Sequence, residues 1–179
     1  MKKLFVFLAC GIAAIVLSSC TKSAWDRSYS HKSYVEVGGL KWATKNVGAS
    51  EDNPYGSLYT YEQAITACPD GWRLPSRTEL RMLTQNFSTA VSYDGVSGKW
   101  FSGSTPYKEG VEAVFLPYAG GHMHEYDEGQ YFDTIGYYWS STMDSKNSCW
   151  FLYFADFSLE TSCLFFSSYH KFSVRCIKN

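Results

Sequence analysis

On either side of Gly38-Gly39 the chain alternates apolar and polar side chains, Tyr34-Val35-Glu36-Val37 before the pair and Leu40-Lys41-Trp42-Ala43-Thr44 after it. Period-two alternation is the pattern of a half-buried strand, and a Gly-Gly pair supplies the positive φ angles of a two-residue turn, so a β-hairpin is expected. The period then changes. Tyr61, Ala64, Ile65 and Cys68 recur at i, i+3, i+4 and i+7, with Thr60 and Gln63 spaced as a capping box and Pro69-Asp70-Gly71 as a stop. This predicts a short helix with those four residues on its inner face. Pro75 keeps Leu74 extended, and Ser76 with Glu79 opens a second helix whose buried stripe is Leu80, Leu83 and Phe87.

Helical period is absent from the rest. Residues 88–106 are rich in Ser and Gly and read as loops and short strands. Residues 114–117 read as a buried strand, and residues 120–136 as an irregular connection. Short strand-like runs at 137–141, 150–154, 163–166 and 172–177 predict a C-terminal β meander. The expected fold class is α+β, two short helices packed on mixed or antiparallel sheets.

The first residues read as an address. Lys2 and Lys3 precede an apolar run from Leu4 to Leu17, too short for a comfortable membrane span, and Leu17-Ser18-Ser19-Cys20 resembles the lipobox of bacterial lipoproteins. Residues 1–19 are accordingly expected to be a cleaved signal peptide. Cys20 would be lipidated and residues 20–33 would form a polar tether, with a single domain over 34–179. The expected location is a bacterial membrane, the outer membrane at its surface or periplasmic face, held by the N-terminal lipid.

Composition narrows the function classes. Without Lys2 and Lys3 there remain fourteen basic side chains against seventeen acidic ones, a balance unsuited to gripping a phosphate backbone, so no nucleic-acid partner is expected. Charged residues are only 18% of the chain, whereas 6 Trp, 14 Tyr and 12 Phe are present. Twelve of these aromatics fall between Tyr137 and Phe172. Along 150–154, Trp150, Leu152 and Phe154 alternate with Phe151 and Tyr153, so a sheet covered on one side would leave one set exposed for contact.

Chemical motifs are sparse. His122, His124, Glu125, Asp127, Glu128 and Asp133 gather in a Gly-flanked stretch, but nothing fixes a ligand set, and a solvated loop is the expected reading; no metal and no cofactor are assigned. A nucleophile elbow of the form GxSxG is absent, and no enzymatic activity is expected. Beyond Cys10 in the signal and Cys20, four cysteines remain, Cys68, Cys149, Cys163 and Cys176, which allow three pairings. Export would favour disulfides, and Cys149 with Cys163 is a candidate pair across neighbouring strands.

Four blocks, residues 42–48 (Trp-Ala-Thr-Lys-Asn-Val-Gly), 67–76 (Ala-Cys-Pro-Asp-Gly-Trp-Arg-Leu-Pro-Ser), 136–142 (Gly-Tyr-Tyr-Trp-Ser-Ser-Thr) and 172–176 (Phe-Ser-Val-Arg-Cys), resemble the Fibrobacter succinogenes major paralogous domain family, lipoproteins common in gut Bacteroidales. The resemblance implies a C-type-lectin-like fold and a disulfide between Cys68 and Cys176. The Glu-Pro-Asn, Gln-Pro-Asp and Trp-Asn-Asp triplets of calcium-dependent lectins do not occur. Relatives of this kind include targets of diversity-generating retroelements, which randomise chosen codons near the C-terminus. The resemblance therefore implies a ligand-binding face made of Asn147, Cys149, Phe151, Ala155, Asp156, Phe157, Phe165, Phe166, Ser167, Ser168, Tyr169 and His170, offered to a protein or a glycan. The alternative is a structural or assembly lipoprotein without a small ligand of its own; a cryptic hydrolase or metal-dependent lectin ranks behind it.

Overall fold

The computed structural model describes residues 29, 31–85, 87–103, 108, 110–123, 130–144, 148–165 and 169–179, with side chains at 130, 131, 160, 161 and 163–165 excepted. Residues 1–28, which hold the expected signal peptide, Cys20 and most of the expected tether, lie outside the described residues.

The expected hairpin forms. Strands β1 (Tyr34–Val37) and β2 (Leu40–Ala43) pair antiparallel around Gly38 and Gly39, whose φ angles of 63° and 76° are ones that only glycine adopts readily. A two-residue strand β3 (Leu58–Tyr59) leads into helix α1 (Tyr61–Ala64), and β4 (Trp72–Arg73) leads into helix α2 (Arg77–Thr84). Both helices begin with the capping boxes that the sequence spells out, Thr60 with Gln63 and Ser76 with Glu79. Their lengths correct the stripe. Helix α1 ends after one turn, which leaves Ile65 55% exposed; α2 ends at Thr84, so Phe87 falls beyond it and is also exposed. Leu80 and Leu83 are buried as expected.

The stretch read as loops contains a regular hairpin. Strands β5 (Ser88–Tyr93) and β6 (Val96–Phe101) pair in unbroken register around Asp94-Gly95, and β7 (Val114–Pro117) adds a third strand. Next come β8 (Ala119–Gly121) and β9 (Gln130–Phe132), paired antiparallel, in place of a wholly irregular connection.

The C-terminal meander is β10 (Ile135–Met143), β11 (Ser148–Ala155) and β12 (Ser158–Phe165), consecutive and antiparallel. The last expected strand divides in two. β13 (Phe172–Ser173) lies parallel to β10, and β14 (Ile177–Lys178) crosses to pair with β2 and β4. The sheets therefore run β1-β2-β14-β4, β5-β6-β7, and β12-β11-β10-β13-β3, with β8 attached at β10 and β9 attached at β8. The fold is mostly β-sheet, antiparallel and mixed, with two short helices.

A disulfide joins Cys68 to Cys176 across 108 positions, as the family resemblance implies. Closing so long a loop is worth about 4 to 5 kcal/mol through the entropy of the unfolded chain.

The packed domain starts before residue 34. Tyr29 is 4% exposed; its ring packs edge-on against Tyr93 and Trp100, and its hydroxyl accepts from the Phe115 N–H. Thr44 bonds back to the carbonyls of Lys32 and Ser33, and Lys32 pairs with Glu112 at 2.9 Å. The expected tether is thus partly domain. Isolated aromatic anchors such as Tyr29 carry no period, so pattern reading passes over them.

Candidate functional site

Strand β11 decides which C-terminal aromatics meet solvent. Its register sets Phe151 opposite Ser162 on β12 and Trp139 on β10, and Leu152 opposite Tyr138. On one face Leu152, Phe154 and Tyr138 join Leu80 and Leu83 of α2 with Phe101 and Val114. On the other, Cys149 and Phe151 join Tyr137, Trp139, Phe172 and Val174, beside Tyr61 and Ala64 of α1. The sheet is covered on both sides, and alternation along 150–154 separates two cores rather than core from solvent.

That corrects two of the expected ligand-binding residues. Cys149 is 0% exposed and Phe151 is 6% exposed, with the Phe151 ring 5.1 Å from Phe172 and 6.1 Å from Tyr137. Neither can touch a ligand without unfolding part of the core. The Cys149–Cys163 pairing is corrected as well. The backbone register sets Cys149 opposite Leu164 and Cys163 opposite Trp150, so the two cysteines are not partners directly across the strands.

Among the expected ligand-binding residues, Asp156 and Phe157 lie on the turn between β11 and β12 and are exposed. Ala155 pairs with Ser158, leaving Asp156 and Phe157 as a two-residue loop. Phe157 is 104% exposed, so among the described residues its ring is left to solvent. The turn itself is held from both sides. The Tyr118 hydroxyl donates to Asp156 Oδ1 at 2.7 Å, and Lys99 Nζ donates to the Asp156 carbonyl at 3.0 Å. Burial and the adjoining Asp156 carboxylate push the Tyr118 phenol pKa upward, so this hydrogen bond keeps its proton at any physiological pH. Burial lowers the Lys99 pKa, with the Asp156 charge opposing.

Tyr118 also accepts the Asp133 N–H through its carbonyl at 2.9 Å. It therefore ties the Asp156-Phe157 turn to the turn after β9, where Phe132 is 47% exposed and rests edge-on against Tyr55. Tyr55 in turn donates to the Asp133 carboxylate, and burial followed by that contact pushes its pKa up to about 12. Sequence reading missed Phe132. Its signal was present in Asp133, a residue that tolerates positive φ (63° here) next to an aromatic.

Of the remaining expected residues, Tyr169 is exposed and His170 half-buried, with its imidazole stacked at 15° over Phe172. Trp150 is half-buried because the Arg77 guanidinium lies 3.3 Å from its ring centre, a cation–π contact that covers one face. Asn147, Phe166, Ser167 and Ser168 lie outside the described residues, as do the side chains of Phe165 and Cys163 and the stretch holding His124, Glu125, Asp127 and Glu128. Among the described residues, no three potential metal ligands converge.

The model of the Fibrobacter succinogenes major domain matches residues 26–178, a span that begins just before the buried Tyr29. No curated protein and no solved structure matches the chain.

Proposed function

The chain belongs to the Fibrobacter succinogenes major domain family, and from that premise we propose that it is a lipid-anchored extracytoplasmic binding protein that offers a protein or glycan the β11–β12 turn. Cys20 carries the lipid and residues before Tyr29 span the distance to the membrane. The observation that carries this reading is Phe157, wholly exposed on a turn pinned through Asp156. A large apolar ring held on a fixed backbone loses little conformational entropy on contact, which is what recognition surfaces exploit. No reacting groups are assigned, and the protein acts without a chemical step.

The C-type-lectin-like fold belongs to the same proposal. It is supported by the disulfide that ties the end of the α1 region to Cys176, and by β14 returning between β2 and β4 so that both ends of the domain share one sheet. Codon diversification is supported at Ala155, Asp156, Phe157, Tyr169 and His170, which reach the surface. It is disfavoured at Cys149 and Phe151, where a random side chain would disturb the core.

A photoreactive phenylalanine analogue at position 157, with the partly exposed position 65 as a control outside the proposed face, tests the reading on the bacterial surface. Cross-links to one discrete partner at 157 and none at 65 are expected. Equal or absent cross-linking at both would favour the structural or assembly lipoprotein, a reading that the burial of Tyr137, Tyr138, Trp139, Phe151, Phe154 and Phe172 also suits.

A further inference from the structure

We infer that the partner received by the Phe157 turn is a protein segment in which apolar side chains alternate with lysine or arginine, an inference that rests on the reading of that turn as a recognition site. Strand register brings two exposed rings to one end of the sheet. Ile135 at the start of β10 pairs with Ala155 at the end of β11, so the segments just beyond that pair, Asp133-Thr134 and Asp156-Phe157, leave the ladder side by side, about 5 Å apart as neighbouring strands are. Phe157 stands on one segment, and Phe132, 47% exposed, adjoins the other. Both segments are held. Tyr118 bonds to each, through its hydroxyl to Asp156 and through its carbonyl to the Asp133 N–H, while Tyr55 packs against Phe132 and donates to the Asp133 carboxylate.

Each ring is thus next in sequence to an exposed aspartate. Both carboxylates accept from neutral phenols, and among the described residues neither aspartate forms an ion pair. Lys99 lies beneath the turn, 5% exposed, with Nζ on the Asp156 carbonyl, and offsets part of the Asp156 charge from within. The border remains negative, because the loop that supplies Tyr55 carries exposed Glu51 and Asp52 against exposed Lys45. Two rings beside unpaired carboxylates fit a partner that brings apolar side chains to the rings and cations to the rim. A neutral glycan would gain little from this charge, and an acidic one would be repelled.

Fluorescence anisotropy with the purified full-length protein tests this, using labelled peptides that alternate lysine with leucine, lysine with glycine, or glutamate with leucine, and labelled maltohexaose. The lysine–leucine peptide should bind saturably and more tightly than the other three. Asp133→Asn with Asp156→Asn keeps the side-chain carbonyls that accept from Tyr55 and Tyr118, and should weaken that peptide about 3- to 30-fold. Phe157→Ala should reduce it to the level of the lysine–glycine peptide. No binding of the lysine–leucine peptide, equal binding of the glutamate peptide, or indifference to the paired Asn changes would overturn the inference, and a discrete cross-link at position 157 would then leave the Phe157 turn standing as a recognition site. Maltohexaose bound more tightly than the peptide, and lost with Phe157→Ala, would overturn it in the same way. Peptide binding indifferent to Phe157→Ala would count against both the inference and the turn itself.

Discussion

Phe151 and Phe157 are six residues apart on one hairpin, yet one is a core side chain and the other a bare surface ring. Their difference comes from what lies above each position, a fact that no local pattern encodes. Gly136 is constrained just as tightly: a Cβ there would sit 2.2 Å from the Phe154 ring, so Gly136→Ala should destabilise by about 2 to 3 kcal/mol, read as a lower urea midpoint with an unchanged slope. Glu79 gives a pH signature. Its bidentate bond to Arg73, at 2.9 and 2.6 Å, outweighs burial and lowers its pKa from the usual 4.5 to about 2. A carboxylate with a depressed folded pKa stabilises at pH values above 4.5, and that contribution disappears as pH falls from there towards 2. Solvent screening holds it to about 1 kcal/mol, so Glu79→Gln should lower the melting temperature at pH 7 and make no difference near pH 2.

Capping boxes, the Gly-Gly hairpin and the three strands of the meander were all legible as elements, because each depends on residues within a few positions of one another. Helix lengths were less so. Ile65 and Phe87 fit the apolar period of α1 and α2, but the helices stop short of them, since tertiary packing rather than propensity sets how far so short a helix extends. The β5–β6 hairpin was legible in principle from Asp94-Gly95 between Tyr93 and Val96; abundant Ser and Gly nearby hid it. The residues 172–177 read as one strand because their hydrophobicity is continuous, whereas burial on all sides splits them between two sheets. The disulfide followed from resemblance alone, since spacing left three pairings open. Removing both of its cysteines, as Cys68→Ala with Cys176→Ala, should cost about 3 to 5 kcal/mol in calorimetric unfolding. It should not change the partner captured at position 157.

For the whole molecule, the question is why only part of the expected face survives. Twelve aromatics in so short a stretch suggest display if the meander is bare on one side. Instead α2 covers one side, and α1 with the returning segment at Phe172 to Cys176 covers the other, so Tyr137, Tyr138, Trp139, Phe151, Phe154 and Phe172 are buried and hold the frame together. Non-local covering of this kind comes from the crossover of the last strands, which periodicity cannot report. Among the described C-terminal residues, the β11–β12 turn stays outside, joined through Tyr118 to the Phe132 turn, and Tyr169 is exposed as well. The most direct measurement pairs Phe157→Ala with Phe151→Ala, reading melting temperature and recovery of the partner cross-linked from a probe at position 169. The account predicts that Phe151→Ala costs about 3 to 5 kcal/mol of stability, while Phe157→Ala leaves melting within about 0.5 kcal/mol of the parent and abolishes the cross-link. A Phe157→Ala protein that melts early, or that captures its partner undiminished, would contradict it.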